Sequence, residues 1–262
     1  MPFEFAKYEG LGNDFVVVRD VAMNAARARA VCDRHLGVGA DGVLVIDDAP
    51  SMVVWNADGS QAEMCGNGLR CVAWHQARLQ DLQRAIWNTG AGPHEAIVHG
   101  PEDVEVFMAV PSFRPEDVPF VGTGPLIEAA VDVASVTCLV TAVGMGNPHA
   151  VLFEQCDERL TLGPAIQTAS LFPQGVNVGF ATSLDDGFVL DVLERGAGWT
   201  MACGTGACAC AAAAVRTGRW ERGRPMKVRL PGGELTITIR GEGKPVSMRG
   251  PARHVFDGVF AD

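Results

Sequence analysis

Two stretches read almost alike and decide the fold: "EMCGNGLRCVAWHQAR", residues 63 to 78, and "MACGTGACACAAAAVR", residues 201 to 216. In each, a cysteine stands immediately before a Gly-x-Gly triplet and a helix-forming run follows. Cys65 and Cys203 lie 138 positions apart, and the match continues upstream without gaps. Asn56 falls on Glu194, Asp47-Asp48 on Asp185-Asp186, and Gly37-Val38 on Gly175-Val176. Further upstream "GLGNDFVVV", from Gly10, matches "GMGNPHAVL", from Gly144, at an offset of 134, so a few residues of loop have changed. A register held over that length points to duplication of one unit.

Each copy carries short apolar runs of strand character, among them "FEFAKYE", "FVVVRD", "GVLVIDD", "HAVLFE" and "FVLDVLER". Long helices are few. Periodicity predicts them over 67–80 and 205–217, with Gly218 as a C-terminal stop. The second is rich in Ala and Cys on every side, the composition of a helix enclosed by protein. The expected class is α/β (α+β): two pseudo-symmetric domains, each a strand-rich sheet wrapped around a central helix. "VPSFRPEDVPFVGTGP", residues 110 to 125, reads as the linker. The expected division is 1–113 plus 251–262 for the first half and 114–250 for the second.

Composition narrows the function. With 262 residues, 48% of them hydrophobic and 20% charged, the chain can bury one large core or two moderate ones. A net charge of -10 without a basic stripe excludes a nucleic-acid partner, which needs clustered cations. The start, "MPFEFAKYEGLGNDF", lacks the order of a secretory signal. No apolar run approaches the roughly 20 residues of a membrane span, so a cytoplasmic protein without membrane contact is expected. The eight cysteines, at 32, 65, 71, 138, 156, 203, 208 and 210, imply no disulfide framework in a reducing compartment. Their spacings do not suit zinc, and no metal is expected.

Cys-Gly-x-Gly at a helix start has a definite chemistry. The first helical turn leaves backbone N–H groups unpaired and carries a partial positive charge. Glycines let an anion approach those groups, and a cysteine beside them should have a lowered pKa. Two such termini on one small carboxylate, with a thiol on each face of its α-carbon, could remove a proton on one side and return one on the other. That predicts a racemase or epimerase, and the arrangement requires no cofactor.

"GLGNDF", "NADGSQAEMCGNGLRC", "GMGNPHAV", "GVNVGF" and "ERGAGWTMACGTGACA" together resemble the diaminopimelate epimerase family, in order and along almost the whole chain. The related proline racemases usually carry His where Asn67 stands. The resemblance implies two α/β domains, the last strand returning to the first domain, and interconversion of LL- and meso-diaminopimelate in lysine and peptidoglycan precursor synthesis. It implies Cys65 and Cys203 as the acid/base pair, with Gly66-Asn67 and Gly204-Thr205 cradling the carboxylate at the reacting centre. Asn13 would lie near that end. Asn56, Asn147, Asn177 and the Glu194-Arg195 pair would read the distal amino-acid end, and His149 with Glu194 would help set the protonation state of a thiol. A homodimer is likewise implied by the resemblance.

Two positions depart from the family pattern. Gly42 stands where many members have Gln, and Trp199 where Glu is usual, so the loop ahead of Cys203 should pack differently. Other readings are weaker. Residues 37 to 42 fit G-x-G-x-x-G but precede a strand instead of following one, and "GEGKP" lacks P-loop spacing. A proline or hydroxyproline racemase-type enzyme of the same fold remains the nearest alternative. A thiol oxidoreductase cycling Cys65 and Cys203 is more distant.

Overall fold

The computed structural model describes residues 2–154 and 157–261; Cys156 lies outside the described residues. The chain separates into two compact units, Met1–Phe107 with Arg249–Asp262, and Met108–Met248. The first contains β1 (Phe3–Gly10), β2 (Asn13–Arg19), α1 (Ala25–Cys32), β3 (Gly42–Ile46), β4 (Met52–Asn56), β5 (Gln61–Ala62), α2 (Gly66–Gln80), β6 (Arg84–Thr89), β7 (Gly92–Gly100) and β8 (Asp103–Met108). The second contains β9 (Ala129–Val133), β10 (Val136–Gly144), β11 (Pro148–Phe153), α3 (Arg159–Gln167), β12 (Asn177–Leu184), β13 (Gly187–Glu194), β14 (Gly198–Trp199), α4 (Gly204–Arg216), β15 (Met226–Leu230) and β16 (Gly233–Thr238). The chain continues through β17 (Val246–Gly250) to β18 (Arg253–Phe260), which pairs antiparallel with β1.

The duplication seen in the residues is repeated in the pairing. In the first unit β1–β2 is antiparallel, β2–β3 parallel, and β3–β4 and β4–β5 antiparallel. In the second, β10–β11 is antiparallel, β11–β12 parallel, and β12–β13 and β13–β14 antiparallel. A parallel pair cannot be joined by a tight turn and needs a crossover. Helices α1 and α3 occupy those two connections. Neither was evident from periodicity: α1 is arginine-rich and α3 holds Pro164 inside it.

Helix α2 packs against β1, β2, β3, β4, β7 and β18, and α4 against β10, β11, β12, β13, β15 and β16. Gly206 through Ala214 are all buried, as the Ala/Cys composition of α4 predicts. Small side chains let strands approach this helix from several directions. It ends in a Schellman turn: Arg219 N–H donates to the Ala214 carbonyl at 2.8 Å and Gly218 N–H to that of Val215 at 3.3 Å. Gly218 takes a φ of +75°, which glycine adopts without steric cost.

Each unit has its own apolar centre. Phe3, Phe5, Val16, Val18, Val31 and Val43 belong to that of the first, and Val140, Leu152, Ile166, Phe172, Val178 and Phe180 to that of the second. Val118 joins the second cluster with Phe120 packed on it, and Ser112 bridges to Gly144. Residues 110–125 are therefore a packed part of the second unit rather than a free linker. Their prolines limit regular structure, but Val118 and Phe120 still gain by burial.

Candidate active site

In the first unit Cys65 is the N-cap of α2, with extended backbone (φ -139°, ψ 110°). Its Sγ accepts the Gly68 N–H at 3.3 Å. Sulfur thus takes the place that Ser, Asp or Asn oxygen usually fills at a helix start. A Cβ on Gly68 would come 3.0 Å from a Leu44 methyl, so glycine keeps this turn seated on β3. Asn67, in the first turn, is buried and donates through Nδ2 to Asn13 Oδ1 at 3.4 Å. Asn13, at the start of β2, donates in turn to Asp41 Oδ2 at 2.7 Å. Asn56 ends β4 and donates to Ser60 Oγ at 2.9 Å. Cys65, Gly66, Asn67 and Asn13 therefore form one cluster, while Asn56 is held by its own turn.

The second unit repeats the device. Cys203 is the N-cap of α4 (φ -118°, ψ 102°), and its Sγ accepts the Gly206 N–H at 3.3 Å. A hydrogen-bonded series leads away from it. The Thr205 hydroxyl lies 3.5 Å from Cys203 Sγ and accepts from Asn147 Nδ2 at 3.4 Å, and Asn147 Oδ1 lies 3.0 Å from His149 Nε2. An amide oxygen only accepts, so His149 must carry its proton on Nε2. The Thr205 hydroxyl, accepting from Asn147, keeps its own hydrogen free to donate to sulfur. Asn177, on β12 beside His149 on β11, donates to the Pro148 carbonyl and accepts the Arg195 N–H at 2.8 Å. The Arg195 guanidinium is exposed and donates to the Gln174 carbonyl at 2.7 Å. Glu194 ends β13 and accepts from Thr200 Oγ1 at 2.6 Å, and its carboxylate is among the groups that raise the Cys203 pKa.

Electrostatics here correct one expectation. The helix terminus predicts a lowered thiol pKa, whereas the Cys203 thiol is pushed well above its ordinary value. Burial is the main cause and the Glu194 carboxylate the second; the Thr205 hydroxyl and Gly206 N–H oppose them without prevailing. Cys203 is only 4% exposed, and desolvation of a thiolate there outweighs a partial helix charge. His149 is pushed down to about 3, by burial first and Arg195 second, so it is neutral near pH 7. It is linked to sulfur through Asn147 and Thr205.

The two departures have structural explanations. A Cβ at Gly42 would stand 2.7 Å from the Trp55 carbonyl, so this backbone takes glycine there. Trp199 packs on Phe180 with ring centroids 6.2 Å apart, and a Cβ at Gly163 would meet its ring at 3.3 Å. Its apolar ring thereby pins the β13–α4 loop to the body of the unit. Sequence reasoning did not single out Arg70, Asp41 or Thr200, which hold Asn67, Asn13 and Glu194. Only Arg70 left a legible signal, lying three residues after Asn67 on the same helical face.

A family model described as diaminopimelate epimerase matches residues 5–113 and 141–255. The diaminopimelate epimerase of Desulforudis audaxviator (strain MP104C) is 44% identical over 276 residues, covering 98% of this chain and 99% of the relative. That of Ectopseudomonas mendocina (strain ymp) is 42% identical over 275 residues, covering 98% and 99%. Among solved structures, a hydroxyproline epimerase from Agrobacterium vitis with bound trans-4-hydroxy-L-proline superposes with a TM-score of 0.71 at 16% identity, over 99% of this chain and 92% of that one. A Bacillus anthracis phenazine biosynthesis protein of the PhzF family gives 0.72 at 12% identity over 100% of both chains. At such identities these two likenesses concern the fold alone.

Proposed function

The chain belongs to the diaminopimelate epimerase family, and from that membership we propose that it interconverts LL- and meso-2,6-diaminopimelate by proton transfer between Cys65, Cys203 and the substrate α-carbon. One observation carries the mechanism: the two units present a cysteine in the same way, as helix N-cap, each sulfur accepting the N–H three residues on at 3.3 Å. Such a sulfur is held still and aimed. The helix N-termini at Gly66-Asn67 and Gly204-Thr205 bind the carboxylate next to the reacting carbon and stabilise the charge that spreads into it as the proton leaves.

Cys203 begins as the thiol, a proton donor, because burial and Glu194 disfavour its thiolate. When it gives up its proton, the Thr205 hydroxyl and Gly206 N–H bind the resulting anion. When Cys203 must act as base, the neighbouring Glu194 carboxylate can take the thiol proton. Neutral His149 fixes Asn147, and through it the Thr205 hydroxyl, so that the donor stays aimed at sulfur. Asn56, Asn147, Asn177 and the Glu194-Arg195 segment read the distal amino-acid end, Arg195 by forked hydrogen bonds to carboxylate. No cofactor enters this scheme. The family resemblance leads us to place the enzyme in the cytoplasm as a homodimer serving lysine and peptidoglycan precursor synthesis.

Purified, reduced protein given LL-diaminopimelate in heavy water, without pyridoxal phosphate or nicotinamide, should form the meso isomer carrying α-deuterium. Turnover of proline or hydroxyproline in its place would move the assignment to that branch of the fold. Full activity in Cys65→Ala or Cys203→Ala would remove the mechanism.

A further inference from the structure

Arg70 is a cation with no exposed surface, on the first turns of α2. Its Nη2 donates to Asn67 Oδ1 at 3.0 Å and its Nε to the Pro251 carbonyl at 3.1 Å. Room for the guanidinium comes from Gly10, where a Cβ would lie 3.3 Å from Nη2. A guanidinium has donors and no acceptor, so the Asn67 atom that faces it must be the oxygen. The Asn67 NH2 group then turns to Asn13, whose facing atom must be its oxygen, at 3.4 Å. That directs the Asn13 NH2 group to Asp41 Oδ2 at 2.7 Å, and a carboxylate only accepts. Asp41 is itself oriented by Arg34 Nη2 at 2.7 Å on Oδ1 and by the Asp14 N–H at 3.1 Å on Oδ2.

Both ends of this series impose the same direction. Reversing either amide would put NH2 against guanidinium at one end or oxygen against carboxylate at the other. The geometry points to Arg70 and Asp41 as positioning residues that lock the polarity of the Asn13 and Asn67 amides, so that their remaining N–H groups face a substrate carboxylate. This rests on the reading of Asn13 and Asn67 as substrate contacts. A flipped amide would set its oxygen against that carboxylate, so the series selects for an anion at this end and against a neutral amide or an ammonium.

The test uses full-length protein with Arg70→Met, Arg70→Lys, Asp41→Ala and Asp41→Asn. Lys keeps a cationic donor and Asn keeps an acceptor oxygen, whereas Met and Ala keep neither. Arg70→Met and Asp41→Ala should raise KM for diaminopimelate about tenfold, as loss of an aligned charge-assisted bond would. They should also weaken its calorimetric Kd on a Cys65→Ala, Cys203→Ala background to a similar degree, with kcat changed less. Lys and Asn should restore most of both. A second readout needs no substrate: in protein labelled with 15N-asparagine, hydrogen exchange of the Asn13 and Asn67 side-chain amides should be slow, and about tenfold faster in Asp41→Ala. Should Arg70→Met fail to fold, Asp41→Ala decides, because Asp41 is exposed. Unchanged KM, Kd and amide exchange in a folded Asp41→Ala overturns the proposal. A wild-type protein that neither binds nor turns over diaminopimelate, yet shows slow amides that Asp41→Ala speeds, sinks the proposed function and leaves the polarity lock standing.

Discussion

Cys203 shows two opposing effects meeting on one atom. A helix N-terminus favours thiolate and burial disfavours it, and here burial together with Glu194 wins. The free protein thus holds Cys203 as the thiol, and under the proposed mechanism the carboxylate beside it would control release of that proton. Replacing Glu194 with Gln removes the negative charge but keeps the side-chain shape, so the Cys203 thiolate should form at lower pH. Iodoacetamide labelling followed by mass mapping of the Cys203 peptide should show its pH midpoint moving down; movement upward would contradict this account. His149 offers a stability counterpart. Its folded pKa, about 3, lies below the ordinary value of 6.5, so above pH 6.5 both folded and unfolded chains are neutral there and the contribution is complete. As pH falls from 6.5 toward 3 the unfolded chain binds a proton that the folded one refuses, and stability declines by up to about 1.4 kcal/mol per pH unit for this group. His75, pushed down to about 4 chiefly by burial, adds to the same slope above pH 4. Gln at position 149 can still donate to Asn147 but does not titrate. Urea unfolding of His149→Gln between pH 7 and 5 should therefore show a shallower loss than wild type, by about one proton's worth.

At the scale of elements, α4 is held by enclosure. Ala211 is fully buried in a helix touched by strands from several directions, so added volume has nowhere to go. Ala211→Leu should destabilise the protein by about 1–3 kcal/mol in denaturant melts, whereas Leu79→Ala on the exposed end of α2 should change little. The same contrast explains what could be read in advance. Helices α2 and α4 were legible because a cysteine, two glycines and a long apolar run mark their starts and bodies. Their observed bounds, Gly66–Gln80 and Gly204–Arg216, lie within a residue of the expected ones. Helices α1 and α3 were not legible, since what requires them is the parallel pairing of the strands they join, a fact of tertiary structure. Residues 110–125 misled in the same way. Pro and Gly spacing describes local stiffness and turns, and says nothing of the core into which Val118 packs. At the site, each cysteine and the residues following it could be read from local order. Asp41 and Thr200 could not, because their role is set by which strand or loop lies beside them.

For the whole molecule, the duplicated units repeat strand order, crossover helix and N-cap cysteine, and the repetition has a consequence for proton bookkeeping. A thiol carries one proton. If one cysteine removes the substrate α-hydrogen while the other delivers a proton it took from solvent, the two hydrogens never mix on a single group. A lone base acting on both faces would instead return the hydrogen it had just removed. In heavy water, with either isomer as substrate and conversion kept below about a tenth, the product pool should therefore carry α-deuterium while recovered substrate remains protiated. Mass spectrometry of the two separated isomers reads both pools in one reaction. The asymmetry should appear in each direction, because whichever isomer is supplied, the cysteine on its hydrogen-bearing face would act as thiolate acceptor and the opposite one as thiol donor. Product retaining substrate hydrogen in either direction would mean that one group serves both faces, and the matching N-cap geometry of Cys65 and Cys203 would then need a different explanation.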